Sequence, residues 1–362
     1  MCLFDSIDQV MTQTDYTHLL KQQSRASKQK LISADLKTVF SDFIVKEVLS
    51  FEPSGSGEHL FLQIKKTDCN TDWVIRQLQK KSGLTSREIG YAGKKDRHSI
   101  STQWFSLHLP GKDISLELLA DESYEIVHSI RHDKKLRVGS LKENQFEIIL
   151  RNLSDKIQQD SINSIAKFGV PNYFGPQRFG HDTNNLNLAE KLLTGQIKIK
   201  NRNKRGLVIS SARSFLFNQC LAKRVDEKTW LEPLKGDCMM LDQKRSYYQL
   251  EEVTDSEVSR INSGDLHISG FMPGKQISDA LHEAKAKEDL ILSNYKDWIT
   301  GLKALNLDSS RRAYRCIPKN LSVEQFENEA TLKFSLSKGC FATSVLRELV
   351  DVTDQATRGS ST

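Results

Sequence analysis

The chain has 362 residues, of which 38% are hydrophobic and 27% charged, with a formal net charge of +6 and a pI near 8.8. This length allows two domains with separate cores, and the composition excludes a disordered or fibrous protein. No apolar run is long enough to span a membrane, and the N-terminal stretch with Asp5 and Asp8 shows no signal peptide. The positive charge favours an anionic partner.

Six cysteines are scattered without Cys-x-x-Cys spacing or histidines at zinc-finger spacing. This pattern predicts no structural zinc and indicates reduced thiols. We therefore expect a cytoplasmic protein.

Residues 1–35 are polar and weakly patterned, which predicts a partly loose leader. Residues 43–47 then alternate as a strand, with Glu47 on the same face as Phe43 and Val45. A glutamate on such a face indicates either a strand beside a site or a frayed strand end.

A turn at 53–57 and the alternating residues 60–64 predict a second strand that forms a hairpin with the first. A helix is predicted over 71–81, capped by Thr71. Residues 85–88 form a capping-box pattern, which predicts a short helix leading into the next loop.

That loop places Asp96 between Lys95 and Arg97, shortly after two glycines and before a strand predicted over 102–109. Positive charge nearby favours an ionised carboxylate, which suits a nucleophile or a base better than a general acid. The alternative is a surface loop with a local ion pair.

Three groups of cations lie elsewhere, each readable as a phosphate contact or as a solvated charge run. They are Arg131, Lys134, Lys135 and Arg137; Lys198, Lys200, Arg202, Lys204 and Arg205; and Arg311, Arg312 and Arg315. Between the first two groups, strand alternation places Phe146 with Ile148 and Leu150, which by itself predicts a core residue.

The remaining pattern predicts helices over 157–168, 186–193, 212–225, 277–292 and 344–350, short strands within 233–250 and 332–336, and a disordered tail over 353–362. The Gly-, Pro- and aromatic-rich residues 169–180 indicate a domain boundary.

Several chemistries are excluded by spacing. The loop lacks phosphate-loop spacing and converging metal ligands, and the chain has no Gly-x-Ser-x-Gly elbow or Gly-x-Gly-x-x-Gly fingerprint. One carboxylate, loop aromatics and separated cations suit an enzyme that binds a polyanion and acts on an extruded base. A non-catalytic RNA-binding or chaperone protein is the alternative.

Six motifs in order resemble the TruD-type pseudouridine synthases over about residues 35–352. They are Asp42–Glu47, Ala92–Arg97, Lys142–Phe146, Val170–Gly180, Ala212–Asn218 and Gly339–Glu348.

The resemblance implies isomerisation of uridine to pseudouridine in RNA, without cofactor or metal, at position 13 in the D-arm of a glutamate tRNA. By its motifs Asp96 is the catalytic aspartate and Phe146 stacks on the flipped base, which replaces the core interpretation of that residue. Phe43, Asn144 and Phe341 match uridine-pocket positions. Lys37 matches a lysine near the site and is the candidate for stabilising the charge on Asp96.

The implied fold is an α/β (mixed α+β) protein in which a pseudouridine-synthase-like catalytic domain with a mixed sheet is interrupted by an inserted α+β domain. On this chain the catalytic domain is residues 1–168 and 316–362, and the insertion is residues 169–315. RNA is expected in the cleft between them, with the 198–205 and 311–315 cations on one side and the 131–137 cations opposite. We expect tRNA as the partner, no membrane association and a monomer.

Overall fold

The computed structural model describes residues 14–27 and 32–358. The prediction that residues 1–13 contain no signal peptide and the end of the expected tail, at residues 359–362, concern parts of the chain outside these ranges.

The helices in chain order are α1 (Tyr16–Lys21), α2 (Thr71–Ser82), α3 (Leu116–Leu119), α4 (Gln159–Phe168), α5 (Asn184–Leu193), α6 (Arg202–Asp226), α7 (Asp255–Ser263), α8 (His282–Leu292), α9 (Lys296–Ala304), α10 (Ala342–Leu349) and α11 (Gln355–Arg358). The strands are β1 (Ile32–Leu36), β2 (Phe43–Leu49), β3 (His59–Thr67), β4 (Ile89–Tyr91), β5 (Ile100–His108), β6 (Tyr124–His132), β7 (Leu141–Arg151), β8 (Val170–Pro171), β9 (Cys238–Leu241), β10 (Tyr247–Gln249), β11 (Leu266–Met272), β12 (Ser310–Ala313), β13 (Arg315–Cys316), β14 (Lys319–Phe326), β15 (Glu329–Ser337) and β16 (Val350–Asp354).

A ten-stranded mixed sheet is built from both ends of the chain. Its main path runs β14-β15-β7-β2-β5-β3-β6, with β4 beside β5, and β1 beside β7 and β16. The β2–β5 and β1–β16 pairs are parallel, and the other pairs are antiparallel. The mixed α/β class predicted from the sequence is confirmed. β2 and β7, which carry Phe43, Asn144 and Phe146, are interior strands of this sheet.

Residues between β7 and β14 form a second sheet, in the order β10-β9-β11-β12, with the short pair β8–β13 where the chain leaves and returns. Helix α6 is the centre of the associated core: Phe215, Leu216 and Leu221 are fully buried in it. Tyr16 of α1 also packs there, with its ring 5.4 Å from that of Phe215.

The predicted hairpin between residues 43–47 and 60–64 is wrong, because β5 lies between β2 and β3 and pairs with both. The alternation of apolar and polar residues correctly predicted both strands. A turn between two consecutive strands, however, does not determine that the two strands pair with each other.

The described parts of the leader and the tail are more ordered than their composition indicates. β1 and β16 pair in parallel from Ile32 opposite Val350 to Leu36 opposite Asp354. The predicted disorder of residues 353–358 is therefore wrong, because tertiary structure gives each segment a partner far away in the chain.

Two local predictions need correction at their ends. Asn70, rather than Thr71, caps α2, and its side chain accepts a hydrogen bond from the Trp73 amide at 2.8 Å. Residues 85–88 form a turn and not a helix, although Thr85 and Glu88 do form the predicted hydrogen bond.

Candidate active site

The Asp96 loop connects β4 to β5, and buried polar groups hold it against α2 and β5. The Thr71 hydroxyl accepts the Lys95 amide at 3.0 Å and donates to Gln103 Oε1 at 3.0 Å. Gln103 in turn donates to the carbonyl of Gly93. Because these groups are buried, their hydrogen bonds specify one path for the loop.

Asp96 is exposed, and its carboxylate lies beside one lysine from a different part of the chain. Lys37 Nζ is 3.3 Å from Asp96 Oδ2 and 3.9 Å from Asp354 Oδ2. The Lys37 side chain is only 5% exposed, and its backbone has φ +58°, a conformation that non-glycine residues rarely adopt outside strained or functional positions. Lys37 therefore lies beside Asp96, as the resemblance implied.

The sequence neighbours of Asp96 are directed elsewhere. Lys95 Nζ forms a buried ion pair with Glu47 at 2.7 Å, and Arg97 Nε pairs with Asp68 at 3.0 Å. The expectation that Lys95 and Arg97 supply the positive charge at Asp96 is wrong, because each has its own carboxylate and Lys37 takes that place.

The Lys95 pair also explains Glu47. β2 continues to Leu49, and Glu47 is buried, with its second oxygen accepting the Trp104 amide at 3.0 Å. The frayed-end interpretation is wrong. This glutamate connects an interior strand to the Asp96 loop.

A second lysine lies beneath the loop. Lys66, at 1% exposure, donates to the carbonyl of Asp96 at 3.3 Å and to that of Cys69. Ser99 donates to the same Asp96 carbonyl at 3.0 Å. Burial lowers the pKa of Lys66 from 10.5 to about 8. The Asp96 backbone is thus fixed from below, while its side chain is free to meet a ligand.

Two of the three predicted aromatic residues, Phe43 and Phe146, lie on the large sheet beside the lysine that pairs with this carboxylate. Lys37 Nζ is 4.7 Å from the centroid of the Phe43 ring. That ring meets Phe146 edge to face at 6.0 Å, and Phe146 stacks on Phe334 at 5.4 Å. Phe146 is partly exposed, so it is both a neighbour of the core and accessible from the site.

Asn144 lies two residues before Phe146 on β7, opposite Glu47 of β2 and Leu336 of β15. Its Oδ1 is buried and has no hydrogen-bond partner within the described residues. Because an unsatisfied buried acceptor is unfavourable, this atom is suited to receive an N–H group from a ligand.

Phe341 belongs to a different aromatic group. It precedes α10, and its ring is 5.8 Å from that of Phe174. Within residues 14–27 and 32–358, no ring contact joins Phe341 to Phe43 or Phe146. Arg312 lies over Phe341 at 5.7 Å.

Two of the three arginines in the third basic cluster are buried in contacts within the protein. Arg311 is buried between Asp279, at 2.7 Å, and Glu288, at 3.0 Å. Arg315 is buried and donates to the carbonyls of Ile261 and Leu266. Placing 311–315 as a unit on the RNA side is wrong, because strand geometry turns these two arginines into the core of the second sheet.

The other two clusters differ in availability. The five cations of 198–205 are exposed and form no ion pair within the described part of the chain. In the 131–137 group, Arg131 is bound to Asp113, and Lys135 donates to the carbonyl of Arg87. Only the 198–205 group is wholly free to contact an anion.

Two residues near the site were not identified from the sequence. Lys66 had a readable signal, since it continues the apolar face of Leu62 and Ile64. Phe40, which is exposed and stacks on His98 at 6.1 Å, had none. Arg178 and Arg312 belong to stretches that the sequence analysis named, but their shared contact with the Phe174 ring depends on the tertiary structure.

Among residues 14–27 and 32–358, no three or more His, Cys, Asp or Glu side chains are grouped so as to hold a metal ion. In the same ranges no helix combines the length and the apolarity needed to cross a membrane.

The fold is that of a pseudouridine synthase. A crystal structure from Methanosarcina mazei, described as a candidate tRNA pseudouridine synthase D, matches with a TM-score of 0.70 at 20% identity. The match covers 92% of this chain and 98% of that one.

Sequence comparison then identifies the family. The model for tRNA pseudouridine synthase D (TruD) matches residues 20–200 and 194–349. The tRNA pseudouridine synthase D of Pseudoalteromonas translucida is 41% identical over 91% of this chain and 93% of its own. That of Aeromonas hydrophila is 40% identical over 87% and 90%. The chain belongs to the TruD family of pseudouridine synthases, a class of isomerases.

Proposed function

We propose that this enzyme isomerises one uridine of a tRNA, that of position 13 in the D-arm of a glutamate tRNA, and that Asp96 is the catalytic group. The observation that carries the proposal is the exposed Asp96 carboxylate, ion-paired to the buried Lys37 beside Phe43 and Phe146. The named activity of the relatives and the free cations of 198–205 support a tRNA substrate.

The reaction breaks the bond between C1′ and N1, turns the uracil and joins C1′ to C5, whose proton leaves while N1 gains one. In one route Asp96 attacks C1′ as the bond to N1 breaks, and the Asp96–C1′ bond breaks in turn when C5 joins C1′. In the other route Asp96 removes the C2′ proton to form a glycal, and returns that proton to C2′ when C5 joins C1′. In both routes an ionised carboxylate is needed, and the freed uracil has to be retained. Phe43 and Phe146 supply apolar surface for the base, and the unpaired Asn144 Oδ1 accepts an N–H of uracil.

The domain boundaries that we propose are 1–168 with 316–362, and 169–315. The separate sheets on the two sides of the β8–β13 pair support them. We further propose that RNA lies between the two parts, and that the enzyme acts in the cytoplasm as a monomer. Light scattering tests the monomer directly.

The test is Asp96→Asn, assayed by tritium release from tRNA labelled at uracil C5. We expect turnover to fall by at least about a thousandfold, as for other catalytic nucleophiles and bases, with tRNA affinity retained. Asp72→Asn, an exposed carboxylate paired with Lys94 at 2.7 Å, is the matched control and should remain active. Near-normal turnover of Asp96→Asn would refute the assignment. Wild-type protein that binds tRNA without turnover would instead favour the RNA-chaperone alternative.

A further inference from the structure

Two arginines lie close to one aromatic ring, and neither has a carboxylate partner within the described residues. The guanidinium of Arg312 is 4.1 Å from the centroid of Phe174, and that of Arg178 is 5.3 Å from it. Arg178 comes from the 176–179 turn and Arg312 from β12, so the tertiary structure brings them together.

Their hydrogen bonds leave much donor capacity unused. Arg312 Nη2 donates to Asn172 Oδ1 at 2.6 Å and to the Asn172 carbonyl at 3.3 Å, while its Nε is buried and has no partner within the described residues. Arg178 Nη1 makes one long bond, of 3.4 Å, to Ser210. In the described residues no ion pair is formed by either guanidinium, unlike the neighbouring Arg311, which has two carboxylates.

Burial and the repulsion between the two guanidinium groups both disfavour their charged forms. Burial, with a smaller contribution from the charge of Arg178, lowers the pKa of Arg312 to about 10. Burial also lowers the pKa of Arg178. Partly buried cations without a counter-ion are unfavourable, so an anion bound here would relieve a cost already present in the fold.

The start of α10 lies at the same place. Phe341 precedes this helix without a side-chain cap. The Ser344 amide donates to the Phe341 carbonyl at 3.0 Å, which leaves the Ala342 and Thr343 amides at the helix start for a ligand. Phe174 packs on Phe341 at 5.8 Å, and a Cβ on Gly175 would be 2.9 Å from the exposed Thr343 hydroxyl. Two guanidinium groups, a hydroxyl and a helix N-terminus are the groups that proteins use for phosphate.

We propose that Arg178, Arg312 and the first turn of α10 bind a backbone phosphate of the substrate RNA next to the extruded uridine. The inference rests on the proposed function, and it relates this site to the uridine through Phe341, which the family resemblance implies to be a uridine-pocket residue. Both arginines are partly exposed, which leaves them accessible to a phosphodiester.

The test uses tRNA in which one phosphodiester flanking the modified uridine is replaced by a neutral methylphosphonate. In the wild-type enzyme, one of the two flanking replacements should lower kcat/KM by about ten- to a hundredfold. Arg178→Gln and Arg312→Gln should show a loss of that size with natural tRNA, and little further loss with the neutral linkage.

Arg260→Gln is the matched control, because Arg260 is exposed and already paired with Asp265 at 2.7 Å. It should respond to the neutral linkage as the wild type does. Thermal unfolding and Arg312→Lys show whether loss of Arg312 disturbs the fold. If loss of Arg312 disturbs the fold, the comparison of Arg178→Gln with the wild type tests the proposal, because Arg178 lies on a surface turn.

The proposal would be overturned if the neutral linkage lowered kcat/KM by the same factor in the wild type, in Arg178→Gln and in Arg312→Gln. The effects of the linkage and of the substitution would then be independent. A second result would also overturn it. If the neutral linkage had no effect on kcat/KM, but inorganic phosphate raised the thermal stability of the wild type and not of Arg312→Gln, the site would bind free phosphate and not the RNA backbone. Failure of the proposed function looks different, because no RNA would then be turned over. In that case, filter binding of the natural and neutral-linkage tRNAs still tests the arginine pair.

Discussion

Around Asp96, single side chains have separate tasks that their positions in the chain do not reveal. Lys37 faces the carboxylate, Lys66 holds the backbone carbonyl, and Lys95 pairs with Glu47. Lys95, Asp96 and Arg97 are adjacent in the chain, but each forms its ion pair with a residue from another segment: Glu47, Lys37 and Asp68, respectively. The catalytic candidate could be predicted from the sequence, whereas its ionic partner followed from the resemblance and not from the local charge pattern.

Lys37→Met tests whether this ion pair matters to the reaction. Loss of the only cation at the carboxylate in the described residues should lower kcat by about a hundredfold, the scale seen when one preorganised electrostatic group is removed. Tritium release measures it. Lys94→Met, an exposed lysine of the same loop, should behave as wild type. Equal rates for the two variants would contradict a role for Lys37.

Lys66 should make stability depend on pH in a defined direction. Because burial lowers its pKa from 10.5 to about 8, the unfolded chain binds more protons than the folded one between those values. The free energy of unfolding contributed by Lys66 therefore rises with pH across this window, by up to about 3 kcal/mol. Urea unfolding at pH 7.5, 9 and 10 measures it.

Lys66→Met should lack this rise, so its stability relative to wild type should decrease as the pH increases. Lys65→Met is the control, since Lys65 is exposed on the opposite face of β3. Parallel pH profiles for Lys66→Met and wild type would show that Lys66 does not titrate in the window.

At the scale of elements, periodicity predicted most strands and helices, and failed where pairing or burial depends on distant segments. β4 is an example: its three residues have little pattern of their own, yet it pairs with β5 and leads into the Asp96 loop. Its Gly90 is required by packing rather than by backbone angles. A Cβ there would lie 2.3 Å from the Leu136 carbonyl and 2.5 Å from Ser106 Oγ.

Gly90→Ala should therefore lower the free energy of unfolding by about 1–3 kcal/mol, the usual cost of overpacking. Gly93→Ala, three residues later, is the control, because its Cβ would approach no atom closer than 3.4 Å. Thermal or urea unfolding of both variants decides the matter. Similar stabilities would show that the 135–137 segment moves aside without cost.

Across the whole molecule, the positive charge is divided between structural and available cations. Arg311 and Arg315 stabilise the second sheet, whereas the five cations of 198–205 are exposed at the start of α6. The sequence shows similar clusters in both places. Their different burial determines which one can neutralise phosphates.

Replacing all five cations of 198–205 by Gln removes five charges from the formal net charge of +6. We expect weaker tRNA binding at low salt and a shallower dependence of log K on log salt, by about 0.7–0.9 per lost phosphate contact. Filter binding across a salt series measures both.

The control variant replaces five paired cations by Gln, with the same loss of charge: Lys223, Arg260, Lys275, Lys285 and Lys287. Its salt dependence should remain close to that of wild type. The same slope in both variants would mean that net charge, and not the 198–205 cluster, governs binding.

By itself, the sequence determined the family, the class of fold and the candidate residues, because ordered motifs and short-range periodicity are written along the chain. Only the tertiary structure decided that β5 separates β2 from β3, that Lys37 rather than Lys95 faces Asp96, and that Arg311 is buried while Arg178 and Arg312 share one aromatic ring. The physical reason is common to all three. Strand partners, burial and ion pairs are set by contacts between distant segments, which no local pattern specifies.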